Sequence, residues 1–123
     1  MSEPIPAIII VEDEPLILAI VSRVLRDLQL DYDIITANSA ASALAQARHR
    51  RCPLLITDYL LGGTDGLTLA REFKARYQSA VIMITAYATP ELRAATRSGQ
   101  IDYFLTKPFL VRDLEQAVRA VLP

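Results

Sequence analysis

The chain has 123 residues, 52% of them hydrophobic, one cysteine and a formal charge of -1; that length suits one domain, 1–123, burying roughly two thirds of its unfolded surface without a disulfide or structural metal. So small a charge offers no field for nucleic acid or anionic lipid, and the longest apolar stretch, Pro15 to Val21, is far short of the roughly 20 residues that span a bilayer. With Cys52 unable to pair internally and no charged-then-apolar leader before the first apolar run, a reducing cytoplasmic setting is expected.

Short apolar runs alternate with longer amphipathic stretches. Ala7 to Val11 predicts the first strand. The helix after it carries Leu16, Ile17, Leu18, Ile20, Val21, Val24, Leu25 and Leu28, spread over about 200° of its circumference, about twice a core-facing stripe. Leu18 and Leu25 fall at the rim of that arc, where deep packing and a partner-docking surface both account for them. Asp33 to Ala37 predicts a second strand, and its end, Ala37-Asn38-Ser39, holds nothing ionisable, as suits an edge position. The segment Arg48-His49-Arg50-Arg51 is a basic helix end that complements the dipole, and Cys52 reads as a small buried hydrophobe. Leu54 to Asp58 is the third strand, and Glu72 with Arg76 forms an i,i+4 pair on the third helix. Ala80 to Thr85 is the fourth strand. Thr89-Pro90-Glu91 then opens a helix with a capping hydroxyl, a first-turn proline and an acid at the positive dipole end, and Gly99 stops it. Tyr103 to Thr106 is the fifth strand, and Val111, Leu114, Val118 and Leu122 recur at helical spacing in the last helix. Each interval is long enough for a right-handed crossover, so the chain reads as an α/β fold with a five-stranded parallel sheet and helices on both faces.

In such a sheet, ligands bind beyond the carboxyl ends of the strands. Glu12 and Asp13 follow the first strand, Asp58 ends the third, Thr85 ends the fourth and Lys107 follows the fifth. Three crowded carboxylates repel one another, and a hard cation relieves the repulsion. Mg²⁺ takes oxygen ligands, keeps several waters and is usually held by one or two carboxylates plus a phosphate. Asp13 and Asp58 suit direct ligation, and Glu12 suits ligation through water. Zinc fits poorly, since His49 and Cys52 lie outside the cluster. Lys107 can pair with one phosphoryl oxygen and Thr85 can donate to another, so the implied reaction is attack by Asp58 on a phosphoryl donor. Glu14 reads as first-turn helix charge.

Four pieces, in this order and at these spacings, resemble the response-regulator receiver domain of bacterial two-component signalling: Val11-Glu12-Asp13-Glu14-Pro15, Asp58 with Asp65-Gly66 seven residues on, Thr85-Ala86, and Lys107-Pro108-Phe109. The resemblance covers essentially the whole chain. It implies a flavodoxin-like fold of strand order 2-1-3-4-5, Asp58 as phosphoacceptor, Asp13 as Mg²⁺ ligand beside Glu12, and the backbone carbonyl of Leu60 as a further ligand. It also implies that Thr85 moves toward the phosphoryl group, that Lys107 pairs with it, and that the Lys107–Pro108 bond is cis. The implied partner is a sensor histidine kinase or histidine phosphotransfer protein. Such a protein is a switch that catalyses only its own phosphorylation and dephosphorylation, not an enzyme in the ordinary sense. The fourth helix, fifth strand and fifth helix form the implied output face and a candidate homodimer surface, where Arg93, Arg97, Asp102, Arg112, Asp113 and Arg119 supply both signs of charge.

Several positions depart from the family pattern. Gly62-Gly63 stands where many receivers carry proline, which leaves the loop less constrained, and Leu110 stands where a polar residue often caps the last helix. The aromatic three residues before Lys107 is Phe104, expected to switch by packing alone, with Tyr103 its rival. Two other readings use the same acids. A haloacid-dehalogenase-like phosphatase wants a second aspartate where Leu60 stands, and a receiver-like binding module would never be phosphorylated.

Overall fold

Every residue of the first and third strands is buried, because both are covered by helices above and below and flanked by strands on either side. The computed structural model describes residues 5–62 and 64–122. In chain order the elements are β1 (Ala7–Val11), α1 (Pro15–Asp27), β2 (Asp33–Ala37), α2 (Ala40–Ala47), β3 (Leu54–Asp58), β4 (Leu60–Leu61), β5 (Thr64–Asp65), α3 (Gly66–Tyr77), β6 (Ala80–Thr85), α4 (Pro90–Arg97), β7 (Tyr103–Thr106) and α5 (Val111–Val121). The main sheet runs β2-β1-β3-β6-β7, parallel throughout, which is the expected 2-1-3-4-5 order counted over its own strands. β2 lies at an edge, as its inert end suggested.

Side chains alternate across the sheet with the period of two that strands impose. Ile9, Val11, Leu55, Val81 and Met83 pack with Ala43 of α2, Phe73 of α3 and Leu92 of α4, while Ile8, Ile10, Ile56, Ile82 and Ile84 pack with Val21 and Leu25 of α1 and Leu114 and Val118 of α5. Asp58 is therefore carried on the most enclosed part of the fold.

The first helix corrects one expectation. Leu25 is fully buried and Leu18 half-buried, whereas Leu16 is 67% exposed and Ile20 39% exposed. The core-facing arc centres on Val21 and Leu28, so the rim left to solvent is the opposite edge of the apolar arc. A second correction concerns Glu72 and Arg76, which form no ion pair among the described residues; an exposed pair of this kind contributes only about 0.3–0.5 kcal/mol, too little to hold two long side chains in one geometry.

Capping follows the sequence more closely. Thr89 Oγ1 accepts from the Leu92 amide at 3.1 Å, and Gly99 takes φ +84° after α4. Leu110 caps α5 with no side-chain hydrogen bond. The short antiparallel hairpin β4–β5 had no counterpart in the sequence reading. Gly62 at its turn has φ +28°, and Gly63 lies outside the described residues. At its exit, Gly66 donates its amide to the Tyr59 carbonyl at 2.6 Å, and a Cβ there would stand 2.0 Å from the Asp58 carbonyl oxygen. The hairpin thus folds back onto the strand that ends in Asp58, and only glycine fits that approach.

Candidate functional site

Register brings the strand ends together. Val11 lies opposite Thr57, which puts Glu12 beside Asp58, and Thr85 lies opposite Thr106, so Lys107 follows at the same edge. The Lys107 amide donates to the Thr85 carbonyl at 2.7 Å and fixes where the side chain starts. Its Nζ then lies 2.9 Å from Glu12 Oε1 and 3.1 Å from Asp58 Oδ2. Carboxylate oxygens of Glu12, Asp13 and Asp58 all fall within 4.8 Å of one another. Sequence reasoning therefore brought the three acids and the amine correctly to one place.

Their environments differ. Glu12 is 4% exposed and Asp13 faces solvent. Burial pushes the Glu12 carboxyl up to about 7, against the pull of Lys107 and with the help of the Asp58 carboxylate beside it. Burial alone would lower the Lys107 ammonium, but Glu12 and Asp58 outweigh it and raise it above the ordinary lysine value. The Leu60 amide donates to Asp58 Oδ1 at 3.3 Å, and the Glu14 amide donates to Glu12 Oε2 at 3.3 Å. Both buried carboxylates are thus oriented by backbone as well as by Lys107. An all-oxygen set of this kind, partly open to water, fits Mg²⁺ and gives a thiophilic metal nothing to hold.

Thr85 departs from the simple picture. It is buried at the strand end, but its Oγ1 donates to the Tyr87 carbonyl at 3.0 Å and accepts from the Tyr87 amide at 3.2 Å. The hydroxyl is engaged with its own loop and not with Asp58. Phe104 packs against the Leu92 side of the core, with Arg93 Cζ 5.8 Å above its ring, while Tyr103 alternates to the other face and is exposed. Leu60 presents no acid two residues after Asp58, and its side chain is 65% exposed. One contact was missed: Tyr59 donates its hydroxyl to Glu91 Oε2 at 3.1 Å, tying the residue after Asp58 to the first turn of α4. Glu91 was legible as a helix-start acid, but the distance between the two in sequence hid the pairing.

A doubly wound sheet with three acids and a lysine at its carboxyl edge defines the class of small α/β phosphoryl-handling switches. Residues 8–119 match the family model described as the response regulator receiver domain, and the chain belongs to that family. It is 35% identical over 93% of its length to the heme response regulator HssR of Staphylococcus aureus strain Newman, and 30% identical over 94% to the probable transcriptional regulatory protein TcrX of Mycobacterium tuberculosis. The chain spans about half the length of these relatives, 50% and 49% respectively. Among solved structures, the receiver domain of NtrX from Brucella abortus is 30% identical with a TM-score of 0.83, covering 94% of this chain and 97% of that one. The signal receiver domain of an HD domain-containing protein from Pseudomonas fluorescens Pf-5 is 28% identical with a TM-score of 0.84, covering 96% and 94%. Receiver domains are phosphorylation-dependent signalling switches that take phosphoryl groups from histidine kinases and bind Mg²⁺ through an acidic pocket. No helix among the described residues is long and apolar enough to cross a membrane.

Proposed function

We propose that Asp58 is the phosphoacceptor of a single receiver domain spanning 1–123, and that its donor is a phosphohistidine on a sensor kinase or phosphotransfer protein. The observation that carries this reading is the pairing of Asp58 Oδ2 with Lys107 Nζ at 3.1 Å inside the acid cluster. A carboxylate oxygen of Asp58 attacks phosphorus, an O–P bond forms, the P–N bond to imidazole breaks, and the leaving imidazole retains the electron pair. Lys107 then holds a phosphoryl oxygen, exchanging carboxylate partners for a phosphate without leaving its position. Asp13 and Asp58, with Glu12 through water and the Leu60 carbonyl, would hold Mg²⁺, which supplies charge neutralisation when bound. Thr85 leaves Tyr87 for the phosphoryl group, and Phe104 follows inward as the switch aromatic.

The chain operates in the reducing cytoplasm, where the buried Cys52 thiol stays unpaired. Its output face is α4, β7 and α5. Self-association through that face would draw on Arg97, Arg112, Asp113 and Arg119; Asp102 is already bound by Lys74 at 2.6 Å and by the Val81 amide at 2.8 Å, so it is withdrawn from such a contact.

Intact-mass measurement after incubation with acetyl phosphate and Mg²⁺ tests the assignment. One phosphoryl adduct is expected on the native chain and none on Asp58→Asn. An adduct of equal yield on the variant would place the phosphoryl group on another residue and overturn the assignment, and no adduct on the native chain would leave the unphosphorylated binding module as the better reading.

A further inference from the structure

At the pole opposite the acid cluster, where β3 and β6 begin, a cleft of about 530 Å³ opens between the α2–β3 loop, the end of α3 and Val121 of α5. Arg50, Arg51, Arg76, Tyr77 and Gln78 line it, and no carboxylate does. We propose that this cleft binds a nucleoside diphosphate or triphosphate, with the arginines on the phosphates and Tyr77 and Gln78 beside the nucleoside.

Three observations converge. Arg50 is anchored: its Nη2 donates to Asp33 Oδ2 at 2.6 Å and to the Ile5 carbonyl, so it forms a fixed wall, and its buried Nε has no partner among the described residues. Arg51 and Arg76 make no ion pair or side-chain hydrogen bond among the described residues, although Glu72 lies one turn from Arg76. In a chain of net charge -1, this local cation excess is not a by-product of general basicity. The negative ends of α2 and α3 account for one arginine each. They do not account for three guanidinium groups lining one concavity, of which Arg50 alone is paired with a carboxylate, that of Asp33, which lies outside the lining.

Guanidinium forks match phosphate oxygens two at a time, which favours adjacent phosphates over a single carboxylate. The cleft falls within the roughly 300–1,000 Å³ typical of small-molecule sites. The Tyr77 ring sits 5.1 Å from that of Phe73, centroid to centroid, and is held in place by that packing. An inorganic polyphosphate would use the arginines equally well but gain nothing from Tyr77 or Gln78, which is why a nucleotide is the better occupant.

The test is an amide NMR titration of the whole chain with ADP, and separately with pyrophosphate, in the presence of EDTA. Saturable shifts are expected at Arg51, Gln78 and Ala80 and not at Glu12, Asp58 or Lys107, with ADP several-fold tighter than pyrophosphate. Arg51→Ala with Arg76→Ala should weaken ADP about tenfold or more, since each removes charge-assisted hydrogen bonds. Both side chains are exposed, so the unfolding midpoint should hold; Arg76→Gln alone, expected to weaken ADP in the same direction, provides a gentler second variant. Shifts that centre on the acid cluster, that sodium chloride reproduces at matched ionic strength, or that the double variant keeps at full affinity would overturn the site. Equal affinity for ADP and pyrophosphate would overturn the nucleoside part and leave an inorganic oligophosphate.

Discussion

Lys107 Nζ lies 2.9 Å from Glu12 Oε1, slightly nearer than its 3.1 Å to Asp58 Oδ2, so the lysine bridges two carboxylates of which only one is the proposed acceptor. Removing it strands both. Lys107→Ala should slow phosphorylation of Asp58 by small-molecule donors by about tenfold to a hundredfold, the range expected for one charge-assisted hydrogen bond. Lys107→Arg should recover only part of that, because a planar fork does not occupy the position of a compact ammonium. Time courses of adduct formation by intact mass check both; a Lys107→Ala rate equal to the native one would remove the lysine from the reaction.

Glu12 makes the metal-free protein sensitive to pH. Its carboxyl is raised from 4.5 to about 7 on folding. Between those values the folded state holds more protons than the unfolded chain, so stability must fall as pH rises from about 4.5 through about 7. A shift of this size corresponds to about 3 kcal/mol at most. Urea denaturation in EDTA at pH 5 and pH 7.5 should show the loss, Glu12→Gln should flatten it, and added Mg²⁺ should offset it at the higher pH. A native protein whose pH profile matches that of Glu12→Gln would contradict the burial account.

Among the described residues, Gly66 should be the least replaceable glycine. A Cβ there meets the Asp58 carbonyl oxygen at 2.0 Å, backbone against backbone, with nothing flexible to yield. Gly66→Ala should cost about 3 kcal/mol or more, the upper end of overpacking, and should displace Asp58 enough to depress adduct formation. Gly99→Ala, where the space is open but φ is +84°, should cost only about 1–2 kcal/mol of backbone strain and leave phosphorylation intact. Chemical denaturation of the two variants separates the effects, and a Gly66→Ala protein as stable as Gly99→Ala would refute the steric reading.

The strands were legible because a parallel sheet buried on both faces needs short apolar runs, and the runs in Ala7–Val11 and Leu54–Asp58 each follow a proline and give way to a carboxylate, at Glu12 and at Asp58. The acids and Lys107 were legible because strand ends share one edge whatever the crossovers do. Side-chain choices that depend on a neighbour were not. The exposed rim at Leu16 and Ile20 depends on how α1 is rotated about its axis, and an apolar arc wider than the core stripe leaves that rotation undetermined. The pairing of Tyr59 with Glu91 depends on where the loop after β3 meets α4, and the direction of the Thr85 hydroxyl depends on the turn at Tyr87. Neither leaves a periodic trace in the sequence.

Thr85 Oγ1 is held by Tyr87, and Phe104 lies beneath Arg93 at 5.8 Å; in the proposed switch the hydroxyl leaves Tyr87 for the phosphoryl group, Phe104 turns inward, and the ring would leave its cation. A cation over an aromatic face contributes about 0.5–1 kcal/mol at an exposed site, small enough for phosphorylation to overcome. With the beryllofluoride mimic bound, amide shifts are therefore expected at Arg93 and along α4 in the native chain. Thr85→Ala and Phe104→Leu should retain the mimic at Asp58 but lose most of the α4 response, and Tyr103→Phe should retain both, since Tyr103 lies on the opposite face. If Tyr103→Leu silences α4 while Phe104→Leu does not, Tyr103 is the switch aromatic and the packing of Phe104 under Arg93 is structural alone.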